Sequence, residues 1–305
     1  MLNRREIKFT LKRFLPKKLL SVIFVLWKNI FLKLENVFQS VRLRKFAVSR
    51  VINLTHKNIP FDLFISPQNG YLDQQIYLKG VYEPFILDLI MKYLKPGDTF
   101  IDIGANIGHH SMFAAAITGK TGKVYSFEPI PRLFKQLQES VKVNKFDTIV
   151  SAHNMALGER NEEKYLYIDA SNMGASTLVD SEAGEEKLKV NIGRADALLE
   201  VLEKINLIKI DVEGYEYEVL AGAHNILSLH TPVILLEFSG EVYAREKNGH
   251  GSKILTLLQE LKYILYDIDD DMKIIENKEV FLGSFVAGKK QANILCLPGN
   301  QYKEV

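Results

Sequence analysis

Beyond residue 98 the chain alternates short apolar runs with segments whose apolar residues recur at steps of three and four. The runs at 99–103, 124–127, 149–156, 207–212 and 233–238, with 263–268 and 293–297 nearer the end, are short and nearly continuously apolar. That is the pattern of strands buried on both faces. Helical spacing fills the gaps at 107–118, 131–144, 215–225 and 252–261. This alternation predicts an α/β fold, a doubly wound, Rossmann-like and mostly parallel sheet of seven strands. One gap departs from it. Residues 157–206 form a polar insert, with extra strands expected at 164–168 and 188–192 around the polar, Gly-containing stretch 169–186. Upstream, a helix is expected at 83–94, with Pro84 in its first turn and Pro96-Gly97 after its end. Residues 61–80 read as short strands and turns, with Ser66-Pro-Gln-Asn-Gly70 as a turn cluster.

The first fifty residues have a different character. After Pro16, Leu19, Ile23, Leu26, Ile30, Leu34, Val37 and Val41 define one helical face, while Lys17, Ser21, Lys28, Glu35 and Gln39 gather opposite. The expected organisation is therefore a basic amphipathic helical extension at 1–50, a lead-in at 51–80 and a catalytic-type α/β domain at 81–300. The uncharged apolar run at 19–27 falls well short of the roughly 20 residues that a bilayer span needs. No cleavable signal is recognised either, because the basic lead is long and no small-residue cleavage site follows.

Charge sharpens this division. The 305 residues carry a formal charge of only +2, yet residues 1–50 hold 13 Lys and Arg against Glu6 and Glu35. That leaves 26 basic against 35 acidic side chains in the remainder. Such an extension suits an anionic membrane surface, with Trp27 at the interface, or packing on its own domain or in a homodimer. Nucleic acid is not expected as a partner. The expected location is cytoplasmic, peripheral on the inner face of the membrane where the extension docks. With 47% hydrophobic and 25% charged residues the composition is that of a globular protein rather than a disordered or fibrous one. The single cysteine, Cys296, excludes a disulfide framework and reads as a buried, inert thiol.

Candidate chemistry begins at Phe100-Ile-Asp-Ile-Gly-Ala-Asn-Ile-Gly108, an expected strand running into a glycine turn and then a helix. Gly104 permits close backbone approach of a ligand, and Gly108 a tight entry into the helix. A dinucleotide fingerprint has three glycines. Here there are two, four apart, with Asn106 between them and Asp102 before the first. A carboxylate at this turn repels pyrophosphate but suits a ligand carrying an ammonium and a sulfonium, as S-adenosylmethionine does. The next strand ends in Glu128-Pro129, 24 residues beyond Gly104. Glu128 is placed to accept both ribose hydroxyls.

These residues resemble the FkbM family of S-adenosylmethionine-dependent methyltransferases, a branch of the class I methyltransferase fold. The resemblance runs through Tyr82-Glu83-Pro84, Asp102 to Gly108, Phe127-Glu-Pro129, Asn154-Met-Ala-Leu-Gly158, Gly174-Ala-Ser-Thr-Leu178, Ile208-Lys-Ile-Asp-Val-Glu-Gly-Tyr-Glu216 and Val233-Ile-Leu-Leu-Glu237. It covers roughly residues 80–240 and leaves the basic extension outside. It implies S-adenosylmethionine as cofactor, with Glu83, Asp102, Gly104, Asn106, Gly108, Glu128, Pro129, Asn154, Ala156 and Asp211 around it, and Asn154 and Ala156 beside the adenine. It also implies an acceptor on a sugar or glycan.

Methyl transfer to oxygen needs positioning and a group that removes the hydroxyl proton. Asp211 is the first candidate; strand alternation puts it on one face with Lys209. Glu213 and Glu216 would stand three apart on a following helix, and Glu237 would end the next strand at the same crevice. His110, or its neighbour His109, opens the helix after the glycine loop as a further candidate base; His153 is a weaker one. Ser176 and Thr177 are candidates for the acceptor entrance. Asp211-x-Glu213 alone does not make a metal site, and no metal is expected. Two other readings stay open: an NAD-dependent sugar oxidoreductase or epimerase, and a non-catalytic, membrane-associated binding module.

Overall fold

The computed structural model describes residues 48–66, 70–169, 172–179, 186–245, 249–289 and 291–299. The amphipathic segment expected at 17–41 lies outside them. The described chain opens with a hairpin, β1 (Arg50–His56) and β2 (Ile59–Ile65), paired from Arg50↔Ile65 to His56↔Ile59. Lys57 and Asn58 both take positive φ, as a two-residue turn that matches strand twist requires. Helices α1 (Tyr71–Lys79) and α2 (Pro84–Tyr93) follow. The first of these replaces the turns expected before Gly80. Its buried Asp73 accepts from the Ser66 amide at 2.6 Å and from Gln136, a tertiary anchor with no local signal.

The doubly wound core then begins with β3 (Thr99–Ile103), α3 (His109–Thr118), β4 (Lys123–Phe127), α4 (Pro131–Asn144) and β5 (Val150–His153). The hairpin packs on α3 and α4. The free edge of β2 is satisfied by α4 side chains: the Asp62 and Phe64 amides donate to Asn144 and Ser140, and Gln136 donates to the Phe64 carbonyl. The run expected as one strand over 149–156 is divided. β5 stays in the main sheet, whereas β6 (Ala156–Gly158) joins β7 (Glu162–Ile168) and β8 (Glu186–Arg194) in a three-stranded sheet ordered β6-β8-β7. The break comes at Asn154, whose side-chain Nδ2 donates to the Glu128 and Pro129 carbonyls. The polar insert is thus a small sheet, as its two expected strands implied.

A short helix α5 (Ala195–Leu198) leads to β9 (Leu207–Ile210). Next come α6 (Glu216–Gly222) and α7 (His224–His230), where a single helix over 215–225 was expected. The remainder is β10 (Val233–Phe238), α8 (Gly240–Arg245), α9 (His250–Glu260), β11 (Tyr263–Asp267), β12 (Lys273–Ile274), α10 (Lys278–Val286) and β13 (Ala292–Pro298). The main sheet is ordered β12-β11-β13-β10-β9-β3-β4-β5. The seven expected strands are all present, and the two-residue β12 adds an eighth at the edge. β13 enters antiparallel between β10 and β11, so the last strand in the chain is not last in space. All four residues of β9 are buried, as are the apolar residues of β10, consistent with helices on both faces. Cys296 is fully buried within β13.

Candidate active site

The carboxyl ends of β3, β4 and β9 open onto one cleft, the place where open α/β sheets bind ligands. Gly104 turns the chain there at φ +82°, and a Cβ on it would lie 1.8 Å from the Asp211 carbonyl oxygen. Only glycine fits. The Gly104 and Ala105 amides both donate to the Phe127 carbonyl at 3.0 Å, tying the glycine loop to the end of β4.

Glu128 lies at the floor of this cleft, only 4% exposed. Its Oε2 accepts from the Asn106 amide at 2.9 Å and its Oε1 from the Ile130 amide at 2.8 Å. Each carboxylate oxygen therefore keeps one acceptor direction for a ligand. Burial pushes its pKa up to about 7 against the two amides, which favour the charged form. Ile130, Leu133, Ala156, Leu157 and Leu166 form an apolar wall beside it. Asn106, Asp211 and Glu213 form the polar end. A flat base, a ribose diol and a cationic tail fit these three surfaces in turn, so the residues suit S-adenosylmethionine.

The insert closes over this cleft. Met173, Gly174, Ser176 and Leu178 line it, and a Cβ on Gly174 would meet the Asn106 side-chain Nδ2 at 2.7 Å. Thr177 Oγ1 donates to the Glu213 carbonyl at 2.6 Å. Of the two residues expected at an entrance, Ser176 lines the cleft and Thr177 straps the insert to the turn after β9.

Beside the polar end, five carboxylates (Glu83, Asp102, Asp211, Glu213 and Glu237) surround one ammonium. Lys209 Nζ lies 2.8 Å from Asp211 Oδ2, confirming the shared face expected for the two residues. Burial opposes its charge, but Asp211, Asp102 and Glu83 outweigh this and hold it above its usual range. Carboxylate oxygens of Asp211, Glu213 and Glu237 all come within 4.8 Å of one another. Glu237 is thus the third carboxylate that sequence spacing alone did not supply to Asp211-x-Glu213. The pKa of Glu237 is raised by Asp211 first and then by burial; that of Glu213 by burial and then by Asp211.

Several expected positions come out differently. Asp102 does not face the cleft: it is fully buried, with Oδ2 accepting from Ser111 Oγ at 2.5 Å and Oδ1 without a hydrogen-bond partner among the described residues. Gly108 caps α3 against Leu137 rather than the cleft. Asn154 acts through the β4 loop that it clamps. Glu83, at φ +45°, lies in a neighbouring recess with Lys209 and Glu237, where burial pushes its pKa up to about 7. His110 is buried with Nε2 3.5 Å from Glu83 Oε2, and His109 accepts from the Tyr82 amide, so neither lines the cofactor cleft. Burial drives both imidazoles well below their usual range. His153 stacks on Phe127. Glu213 has φ +51° and precedes α6, so it is not three positions from Glu216 on a helix. Glu216 is buried and accepts from the Gly214 amide, Ser239 and Tyr243, a clamp on the turn. Sequence reasoning missed the apolar wall of Ile130, Leu133, Leu157 and Leu166. Periodicity marks these residues as apolar but does not separate a ligand wall from core.

A family model of the methyltransferase FkbM domain matches residues 102–265. The chain belongs to the FkbM methyltransferase family. Among its relatives, the hexuronic acid methyltransferase AglP of Haloferax volcanii is 30% identical over 48% of this chain and 58% of its own length. Methyltransferase 1 of Beauveria bassiana is 32% identical over 50% of this chain and 66% of its own. The chain thus spans somewhat under two thirds of these two relatives. A crystal structure of methyltransferase FkbM from Methylobacillus flagellatus KT aligns over 73% of this chain and 52% of its own, at 13% identity and a TM-score of 0.41. Membership in a methyltransferase family sets the dinucleotide reading aside.

Proposed function

We propose that this FkbM-family protein is an S-adenosylmethionine-dependent O-methyltransferase whose acceptor is a hydroxyl of a sugar or glycan. The observation that carries the reading is the junction of two surfaces: the Glu128 cleft, fitted to a nucleoside, and the Asp211–Glu213–Glu237 cluster at its polar end. When bound, the sulfonium supplies an activated methyl group. The chain's own residues do the rest. Gly104 and Asn106 shape the loop that positions the cofactor, and Glu128 takes the ribose hydroxyls. Asp211, held by Lys209, is aimed at the acceptor hydroxyl and receives its proton as the oxygen attacks. Glu213 and Glu237 have raised pKa values and, when protonated, donate hydrogen bonds to neighbouring acceptor oxygens. The carboxyl groups gathered at this end suit hydrogen bonding to a polyol. The printed activity of the Haloferax volcanii relative, on a hexuronic acid, is in keeping with a sugar acceptor.

The test is incubation of the full chain with S-adenosylmethionine and a panel of nucleotide sugars, lipid-linked glycans and free glycosides, read by mass spectrometry. Gain of one methyl by a sugar hydroxyl is expected. Cofactor binding without transfer to any sugar, but with transfer to a phenol or carboxylate, overturns the acceptor class. No cofactor binding at all returns the protein to a binding module.

Peripheral association of residues 1–50 with an anionic membrane face belongs to the same reading, on the strength of the charge division. Among the described residues no helix is long and apolar enough to cross a membrane. Deletion of 1–50 is expected to abolish sedimentation with anionic vesicles. A full chain that never sediments points instead to packing or a homodimer.

A further inference from the structure

At the opposite end of the same strands lies a second cavity, of about 390 Å³. Its walls come from the end of α2 and the turn after it, from the residues entering β3 and β9, and from the link between α7 and β10. Four steps of β3, at roughly 3.3 Å each, separate Thr99 at this end from Ile103 at the cofactor end, a span of about 13 Å. The two sites are therefore distinct, and nothing in the methyl-transfer reading uses the second.

Its chemistry is cationic. Lys92, Lys95 and Lys204 line it and are exposed, and none is ion-paired among the described residues. The lining acid is Asp98, whose Oδ2 accepts from the Lys95 amide. Three ammonium groups against one carboxylate stand out on a body in which residues 51–305 carry 35 acids against 26 bases. Neutral donors accompany the charge. Asn206 is held in place, its Oδ1 accepting from the Thr99 amide at 3.0 Å and its carbonyl from the Val233 amide at 3.0 Å. Among the described residues no hydrogen bond takes up its Nδ2 hydrogens. His230, also in the lining, has Nε2 buried without a hydrogen-bond partner among the described residues.

We infer that this cavity binds a phosphate ester, with Lys92, Lys95 and Lys204 neutralising the phosphate and Asn206 donating to one of its oxygens. Three cations that line one cavity without a carboxylate partner among the described residues, Lys92 resting over the Tyr93 ring, match a doubly charged tetrahedral anion better than a single carboxylate. The cavity is far larger than one inorganic phosphate, so it accommodates the esterified group as well. The ester comes from a soluble sugar phosphate or from a phospholipid headgroup, and the two sources separate by experiment.

The experiment compares the full chain, its Lys92→Gln/Lys95→Gln/Lys204→Gln variant, and a control of equal charge change, Lys142→Gln/Lys187→Gln/Lys189→Gln. Each is titrated calorimetrically with glucose 1-phosphate and sedimented with phosphatidylglycerol-containing vesicles. Expected is a loss of about tenfold in affinity for one of these probes in the cavity variant only, from three pairs of modest worth each. Loss confined to glucose 1-phosphate identifies the soluble source, and loss confined to the vesicles identifies the headgroup. Equal behaviour of wild type and cavity variant with both probes, or an equal loss in the control, overturns the proposal. Because both probes report binding rather than methyl transfer, the result stands apart from the fate of the acceptor reading.

Discussion

Replacing Glu128 probes the cofactor cleft directly, because both carboxylate oxygens are engaged from the protein side and both retain an acceptor direction. In Glu128→Ala two hydroxyl–carboxylate bonds to the ribose are lost together. Bonds to a charged group contribute about 1.5–3 kcal/mol each, so a loss of about 3–6 kcal/mol in binding is expected, roughly a hundredfold to ten-thousandfold in Kd. Glu128→Gln keeps the shape but turns one oxygen into a donor. That donor faces either the Asn106 or the Ile130 amide, leaving one backbone N–H without a partner at a cost of about 1–3 kcal/mol. Its melting temperature should therefore fall less than that loss alone implies, since the cost of burying the carboxylate disappears as well. The assay is calorimetric titration with S-adenosylmethionine, with thermal melting followed by circular dichroism to confirm folding. A second signature is pH. The Glu128 pKa is pushed up to about 7, so wild-type affinity should rise as pH passes upward through that value, and the rise should be smaller in Glu128→Gln. A folded Glu128→Ala chain with wild-type affinity would refute the ribose assignment.

Asp211→Asn should leave cofactor affinity within a few-fold and lower turnover by about 10²–10⁴, the usual contribution of a proton acceptor, as measured by methyl-transfer kinetics. An undiminished rate removes Asp211 from the chemistry. Gly104→Ala should cost at least about 3 kcal/mol in denaturant unfolding, since its Cβ would overlap the Asp211 carbonyl and the residue sits at φ +82°; wild-type stability would contradict that geometry. Cofactor-free stability should decline by on the order of 1–3 kcal/mol between about pH 6.5 and 8.5. Burial lifts Glu83, Glu128 and Glu216 to about 7, with Glu213 and Glu237 also raised, so the folded chain holds protons there that the unfolded chain has released. The buried histidines add the opposite slope only below that window, where the unfolded imidazoles protonate. A melting temperature that climbs across the window would show that these carboxyls are already ionised in the fold.

Much of the architecture was legible in the order of residues because its causes are local. Strands buried on both faces must be continuously apolar, so 99–103 and 233–238 coincide with β3 and β10 to the residue. A glycine forced to positive φ beside another backbone leaves its mark as Gly104, and an acid at the end of the next strand as Glu128. Other features depend on partners distant in the chain. Nothing near Asn154 announces that its side-chain Nδ2 would clamp the carbonyls of Glu128 and Pro129 where the run divides into two strands. Asp73 secures α1 through Ser66 and Gln136, and Glu216 serves Tyr243 and Ser239 rather than an acceptor. His110 looked like a base from its place at a helix start, but packing buried it against Glu83. Only the folded sheet brings Glu237 of β10 into reach of Asp211 and Glu213 and leaves Lys209 among their charges. Periodicity determines which face of an element is apolar. Which acids share a crevice is decided when strands far apart in the chain become neighbours, because electrostatic coupling depends on distance in space rather than along the backbone.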